Sequence, residues 1–202
     1  MRSMLFLATR NIDEVRTIHR DLHSLYRDDI AKYAPPELRL VIRDIYDLIP
    51  GEVGSKNRRF KLSSIEGVKR FSQVTDHFLW LSEAGVALPV CNVSAPVAPL
   101  LVGGQRNLFK LFYLGTGMLM SSYSKKVARG VFDGAAESSF AMNMGAAYEG
   151  FVAQELKTHG FRLRYFTSKK NRGARFRRGN ARRGRACHRG QVGRSLQIAC
   201  GA

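Results

Sequence analysis

Apolar residues recur at helical spacing over the first quarter of the chain. After Asn11, which suits the N-cap position, they follow at steps of three to five residues: Ile12, Val15, Ile18, Leu22, Leu25 and Ile30. Two prolines at 35 and 36 end this stretch, and a second amphipathic pattern runs from Leu38 to Ile49. Because Pro50-Gly51 follows, we expect the second helix to stop there. The pattern predicts two consecutive helices.

A third helical pattern follows a polar, basic connector. It begins at Ser63 or Ser64 as a cap and continues through Val68, Phe71, Val74, Phe78 and Leu81. Gly85 suits the left-handed position just after the helix end. Two strand-like runs come next, at residues 86–93 and 109–114, with a loop rich in Pro and Gly between them. Helices followed by two joined strands are the order of a winged helix-turn-helix, an order that many other α+β domains share.

The remaining patterned sequence predicts two helices and a strand. Residues 118–120 indicate a small helix or turn, and Met144 to Leu156 read as a fourth amphipathic helix ending at His159-Gly160. Residues 161–166 alternate apolar and basic side chains, which predicts an exposed or edge strand. Beyond Ser168 the patterning stops.

Charge divides the chain into two unequal parts. Its 202 residues hold 33 Lys and Arg against 16 Asp and Glu, a net charge of +17. Residues 171–202 contribute nine Arg and no acidic residue. A globular surface mixes charges of both signs, so the tail is expected to be disordered.

Composition excludes several classes of protein. Three cysteines, Cys91, Cys187 and Cys200, have no metal-type spacing and cannot all pair, which indicates a reducing cytoplasm. No stretch is long and apolar enough for a membrane span. The chain contains no Gly-Lys dipeptide, so the phosphate-binding loop of ATPases is absent and we expect no ATP binding.

Two histidines have the spacing of metal ligands. His19 and His23 stand four residues apart on one helix face, but the intervening residues lack the Glu of the zinc-protease motif. His23 falls off the apolar stripe, so a solvated side chain is the favoured interpretation. We predict no metal site and no cofactor.

Five cations cluster just before and early in the third pattern: Arg58, Arg59, Lys61, Lys69 and Arg70. In a winged helix this face would meet phosphates, and such contacts give salt-dependent affinity without sequence preference. An ordinary solvated basic surface is the alternative.

Glu149 lies in the fourth helical pattern, just before the last predicted strand. A helical Glu followed by a strand is how a metal-dependent nuclease core begins. Such a site needs further carboxylates to hold Mg²⁺, and Glu155 is the last acidic residue in the chain. We expect Glu149 to be a remnant acidic position without a complete metal site.

Residues from about 5 to 171 resemble the uncharacterised domain that is C-terminal to the ATPase module of prokaryotic AAA-type ATPases. The resemblance rests on segments in the same order along the chain: 20–22, 26–30, 49–51, 60–64, 81–85, 92–94, 109–119 and 149–156. It implies a winged-helix segment followed by a core of the restriction-endonuclease type. Full-length members carry a preceding ATPase domain, which we expect to be missing here.

The resemblance breaks after Ser168-Lys169-Lys170-Asn171. The family continues with a strand that contains an Asp and then a Glu-x-Lys strand, whereas this chain becomes Arg-rich. Read one base later, codons from Arg172 onward permit Ala-Glu-Leu-Asp-Phe-Val-Val-Glu-Met. The stretch from Cys187 to Gly193 contains, in the same shifted frame, the permitted reading Ile-Glu-Val-Lys-Ser-Gly. Both missing strands are recovered in order, which indicates a frameshift.

The sequence therefore predicts an α+β protein in four parts. These are a helical and winged-helix region at 1–123, a linker at 124–140, the start of a nuclease-like core at 141–171, and an out-of-frame tail at 172–202. We predict a cytoplasmic protein that binds protein or nucleic acid and is not an enzyme. Two alternatives remain open: a nucleic-acid-binding protein that uses its Arg-rich tail, and a metal-dependent nuclease.

Overall fold

A computed structural model of the chain describes most of its length. The described residues are 11–55, 58–93, 104–127, 138–167, 174–178 and 197–201. Residues 168–173, where the proposed frameshift falls, and most of the Arg-rich tail lie outside them.

Helices and strands follow the order of an α+β protein. The helices are α1 (Ile12–Tyr33), α2 (Arg39–Gly54), α3 (Thr75–Glu83), α4 (Thr116–Ser121) and α5 (Ser138–Thr158). The strands are β1 (Ala87–Val93), β2 (Gly104–Tyr113), β3 (Arg162–Thr167), β4 (Ala174–Arg178) and β5 (Gln197–Gly201). The predicted α+β class with a helical N-terminal part is confirmed. The winged-helix and restriction-endonuclease-type folds stay predictions. Among the described residues, no helix combines the length and apolar composition that a bilayer crossing requires.

Local signals set the bounds of α1. The Asn11 side chain accepts hydrogen bonds from the backbone N–H groups of Asp13 and Glu14 at 3.1 and 3.2 Å, as an N-cap does. The helix ends at Tyr33, and Ala34 is extended because it precedes a proline. The predicted start and end of this helix are confirmed.

The expected end of α2 at Pro50-Gly51 is wrong, because the helix runs through Pro50 to Gly54. A proline inside a helix leaves the carbonyl four residues earlier without its amide donor. That carbonyl belongs to Tyr46, and the Tyr113 hydroxyl of β2 donates to it at 2.9 Å. A strand therefore supplies the hydrogen bond that the helix lacks.

The third predicted helix, from residues 63–64 to Leu81, is also wrong in its first half. Two short 3-10 turns, Leu62–Ser64 and Phe71–Gln73, precede α3. Gly67 lies between them with φ +74°, a left-handed conformation that interrupts helical geometry. Gly85, with φ +68°, takes the position after α3 that the sequence predicts.

The five strands form one sheet in the order β2-β1-β3-β4-β5. β1 and β2 are antiparallel, with Ala87 opposite Tyr113, whereas β3 runs parallel to β1, with Asn92 opposite Tyr165. The prediction that residues 161–166 form an edge strand is wrong, since β3 has neighbours on both sides and Leu163 and Tyr165 are buried. The parallel pairing also joins residues 1–123 and 141–171, two separate predicted regions, in one sheet.

The Arg-rich tail was expected to be disordered, and its described stretches differ from that expectation. β4 and β5 pair antiparallel with β3 and parallel with each other. Unpaired backbone groups on the far side of β3 provide the template for this pairing, whatever the side chains are.

Alternating residues of β2 face different helices. Phe109 contacts Phe78 of α3 at a ring distance of 4.8 Å, and Tyr113 contacts Tyr46 of α2 at 4.9 Å. Lys110, on the opposite face, reaches α5. Because successive side chains of a strand point to opposite faces of the sheet, α2 and α3 lie on one side of it and α5 lies on the other.

His23 lies in the core and is not solvated, contrary to expectation. It is 8 % exposed, and its ring nitrogens contact the Tyr46 hydroxyl at 2.5 Å and the Met118 carbonyl at 3.0 Å. A carbonyl oxygen can only accept a hydrogen bond, so the Nε2 atom that contacts Met118 carries the proton. In the neutral ring Nδ1 then accepts from the Tyr46 hydroxyl. Burial lowers the pKa of His23, so the buried ring is neutral.

The hydrogen bond from Tyr113 to Tyr46 predicts a thermodynamic coupling with Pro50. Tyr113→Phe leaves a buried carbonyl unsatisfied, at a cost of about 1–3 kcal/mol in the free energy of unfolding. In a Pro50→Ala background the alanine amide donates to Tyr46, so the same Tyr113→Phe change should cost less than about 1 kcal/mol. Urea unfolding of the four proteins measures this cycle. Equal costs in both backgrounds would contradict the account.

His23 predicts a loss of stability toward acid. In the unfolded chain its pKa is near 6.5, and burial lowers it in the folded protein. As the pH falls below about 6.5, the unfolded state takes up a proton that the folded state resists, with a slope of at most about 1.4 kcal/mol per pH unit. We expect His23→Gln to lose less stability between pH 7.5 and 5.5 than the wild type. The exposed His159→Gln serves as the control, and an identical pH dependence in all three proteins would refute the prediction.

Candidate functional site

The residues between α2 and α3 carry a concentration of positive charge. We call residues 58–73 the basic segment; it contains five Lys or Arg residues and a single acid, Glu66. All five cations of the predicted nucleic-acid contact set lie on it.

Side chains on both flanks hold the backbone of the basic segment. From α2, the Glu52 carboxylate accepts from the Lys61 amide at 3.2 Å and from the Ser64 hydroxyl at 2.5 Å. The Gln73 side-chain carbonyl accepts from the amides of Lys69 and Arg70 at 2.9 and 2.8 Å. The backbone beside three of the cations is therefore fixed, although it forms no regular helix there.

Aromatic packing anchors the same segment to the sheet. Phe60 stacks on Phe109 of β2 at a ring distance of 5.6 Å, and Phe71 meets the same ring at 5.5 Å. The Phe60 amide also donates to the Phe109 carbonyl at 3.0 Å. Such aromatic pairs contribute beyond their buried area, by about 0.5–1.5 kcal/mol each.

The five predicted contact residues divide into two groups. Lys61, Lys69 and Arg70 are exposed, and none of the ion pairs in the described part of the chain uses them. Arg58 and Arg59 are partly buried, and Arg58 is bound to Glu149. The structure therefore brings three cations to the surface and turns one toward the core.

Glu149 of α5 is buried and doubly paired. It is 5 % exposed, and its two oxygens contact Arg58 Nη1 at 2.5 Å and Lys110 Nζ at 2.6 Å. Lys110 comes from β2 and is 3 % exposed. We call Glu149, Lys110 and Arg58 the buried charge cluster; it joins α5 to β2 and to the basic segment.

The buried charge cluster has one more positive than negative group. Burial lowers the pKa of Lys110, and the adjacent Glu149 carboxylate opposes that shift. The Lys110 ammonium also lies 5.2 Å from the centre of the Tyr165 ring, a cation–π distance. Burial raises the pKa of Tyr165 to about 12, so its phenol adds no charge. Glu149 is the group on which both cations depend.

A glycine makes the approach of Arg58 to α5 possible. Gly145 stands one helical turn before Glu149, and a Cβ atom there would overlap the Arg58 guanidinium. The missing side chain leaves the space through which the guanidinium reaches the carboxylate.

The arrangement around Glu149 suits a structural ion pair better than a metal site. Both carboxylate oxygens already contact protein cations. Within the described residues, no group of three or more His, Cys, Asp or Glu side chains is placed to hold a metal ion. The His19 ring contacts the Val15 carbonyl at 2.8 Å within its own helix, and His23 contacts Tyr46 and Met118.

Sequence reasoning missed both partners of Glu149. Lys110 is the lone charged residue in the apolar run 109–114, and a buried strand with one charge requires a counter-ion. That signal was available. The partner itself was not, because Lys110 and Glu149 are 39 residues apart and the intervening chain gives no sign of their contact.

Both cations of the buried charge cluster pair with Glu149, which predicts that its loss costs more stability than the loss of one cation. Glu149→Gln leaves the buried Lys110 and the partly buried Arg58 without a counter-charge and should lower the free energy of unfolding by about 3–5 kcal/mol. Lys110→Met leaves Glu149 paired with Arg58 and adds a flexible apolar side chain, so we expect a cost of about 1–2 kcal/mol. Denaturant unfolding separates the two variants. A larger cost for Lys110→Met would contradict the assignment of Glu149 as the shared partner.

Comparison with known proteins places the basic segment inside a defined family domain. The model of a family described as Domain of unknown function (DUF8612) matches residues 5–126. No curated protein matches the chain, and no solved structure does. The matched range is more than half of the chain and includes α1 to α4, β1 and β2, whereas Glu149 lies beyond it. The chain therefore belongs to the DUF8612 family.

Proposed function

We propose that this protein binds nucleic acid through the basic segment, as a cytoplasmic binding protein and not as an enzyme. The observation that carries the proposal is the set of three exposed cations, Lys61, Lys69 and Arg70, on a backbone fixed by Glu52 and Gln73. The net charge of +17 supports the same partner, because an excess of Lys and Arg is the electrostatic signature of proteins that bind the phosphate backbone.

Rigidity favours binding at this place over other basic surfaces. A flexible basic loop loses conformational entropy when it docks, whereas the basic segment is already held by Phe60, Phe71 and two polar side chains. Phosphate contacts from Lys and Arg position a nucleic acid without reading its bases. We therefore infer binding with little sequence preference.

Catalysis finds less support at the site that the resemblance suggests. Glu149 contacts two cations, and a hard divalent ion would have to displace them to reach its oxygens. Binding to another protein, and the control by an ATPase that the resemblance implies, stay predictions from the sequence. The family description assigns no function that would test them.

The Arg-rich tail is a second candidate for the same function. Nine Arg residues without an acidic neighbour favour phosphate contacts along residues 172–202. This candidate differs from the first in the residues that carry affinity, so substitutions in the basic segment distinguish them.

Salt dependence of binding tests the proposal. Each Lys or Arg that neutralises a phosphate on B-DNA adds about −0.9 to the slope of log K against log salt concentration. Substituting Lys61, Lys69 and Arg70 together by Gln should therefore reduce the magnitude of the slope by about 2.7. Fluorescence anisotropy with a labelled duplex, between 50 and 200 mM salt, measures it.

A matched control removes the same charge elsewhere. Arg43, Lys126 and Lys157 are exposed cations outside the basic segment, and replacing all three by Gln should change the slope by less than about 1. If both triple variants lower the slope equally, net charge alone drives binding. If neither changes it, the affinity belongs to the tail. Either result refutes binding through the basic segment.

A further inference from the structure

We propose that a cleft on the helical side of the molecule, separate from the basic segment, binds a small phosphate monoester. The cleft lies between α1, α2 and the residues that follow α4, and its volume is about 420 Å³. Sites for small ligands typically measure about 300–1,000 Å³, so the space suits a molecule of the size of a nucleoside monophosphate.

Arg27 presents a guanidinium that is already oriented. Its Nε and Nη2 donate to one oxygen of Asp47 at 3.0 and 2.7 Å, and its carbon lies 5.8 Å from the centre of the Tyr46 ring. These bonds use two of the five guanidinium N–H groups and leave three for a ligand. Because the side chain is held before binding, a ligand costs it little conformational entropy.

Arg20 supplies a second cation on the same face of α1. It stands seven residues before Arg27, about two helical turns or roughly 10 Å along the axis. Arg20 is exposed and forms no ion pair with any described residue. Both arginines line the cleft.

His23, between the two arginines on α1, lines the inner part of the cleft without adding charge. Its nitrogens are engaged by Tyr46 and Met118, and burial keeps the ring neutral. The charged groups that line the cleft are therefore Arg20, Arg27 and Asp47, which leave a net positive charge. An anion is the ligand that this balance favours.

Asp47 restricts the class of anion. Both hydrogen bonds from Arg27 end on the same carboxylate oxygen, and no described side chain donates to the other. That oxygen repels a bare phosphate but accepts a hydrogen bond from a hydroxyl or amino group attached to it. Guanidinium groups bind phosphate well through their planar forks, and two of them line this cleft. The combination points to a phosphate ester that carries a hydroxyl or amino donor.

Two kinds of molecule carry such a phosphate ester: a free nucleotide or sugar phosphate, and a nucleic-acid strand with a phosphorylated 5′ end. Calorimetry with adenosine 5′-monophosphate, inorganic phosphate, and one short oligonucleotide with and without a 5′ phosphate separates them. If the ligand is a free phosphate ester, adenosine 5′-monophosphate binds, and the affinity for the oligonucleotide is the same with and without its 5′ phosphate. If the ligand is a phosphorylated strand end, the oligonucleotide binds more tightly with its 5′ phosphate than without it.

Three variants test the residues. We expect Arg20→Gln to weaken binding of adenosine 5′-monophosphate at least tenfold, and Arg27→Lys, which keeps the charge but loses the fork, to weaken it several-fold. Arg43→Gln, an exposed arginine of α2 that does not line the cleft, should bind as the wild type does. Circular dichroism confirms that each variant is folded.

The proposal is overturned if the wild type binds neither phosphate ester nor 5′-phosphorylated strand at millimolar concentration. It is equally overturned if Arg20→Gln and Arg43→Gln bind alike, because the cleft would then not be the site. Neither result bears on the basic segment, whose salt dependence is measured on residues outside the cleft.

Discussion

The carbonyl of Tyr46 depends on a residue far away in the sequence. Pro50 removes the amide that would normally bond to it, and the Tyr113 hydroxyl donates in its place at 2.9 Å. A buried carbonyl without a donor costs about 1–3 kcal/mol, so the docking of β2 stabilises the continuation of α2 past its proline. His23 then fixes the Tyr46 hydroxyl from α1. The Tyr113 ring also lies 5.3 Å from the His23 ring, so one tyrosine of the sheet contacts both helices.

β2 is the element through which the rest of the molecule is connected. Tyr113 holds α2, and Phe109 on the same face holds the basic segment through Phe60. Lys110 on the opposite face pairs with Glu149 of α5. The buried charges have a structural role in this arrangement, whereas the exposed cations of the basic segment are free to contact a ligand. Burial therefore separates the charges that stabilise the fold from those proposed to bind.

Features set by neighbouring residues were predicted from the sequence, and features set by distant contacts were not. The Asn11 cap and the end of α1 before two prolines need no information beyond a few positions. The predicted end of α2 at Pro50 was wrong because the hydroxyl that replaces the missing amide donor belongs to β2. The predicted edge position of β3 was wrong because the alternation of its own residues does not show which strands lie beside it. In the candidate site, the five cations were identified from their clustering. Arg58 is excluded from that set by its ion pair with Glu149 of α5, and no local sequence pattern reveals this contact.

Lysine footprinting tests the central claim most directly. The protein is treated with an acetylating reagent with and without a DNA duplex at low salt, and the modification of each lysine is read by mass spectrometry. The account predicts that DNA protects Lys61 and Lys69 of the basic segment, while the exposed Lys126 and Lys157 stay equally reactive. Equal protection of all four lysines, or protection of Lys126 and Lys157 alone, would contradict it.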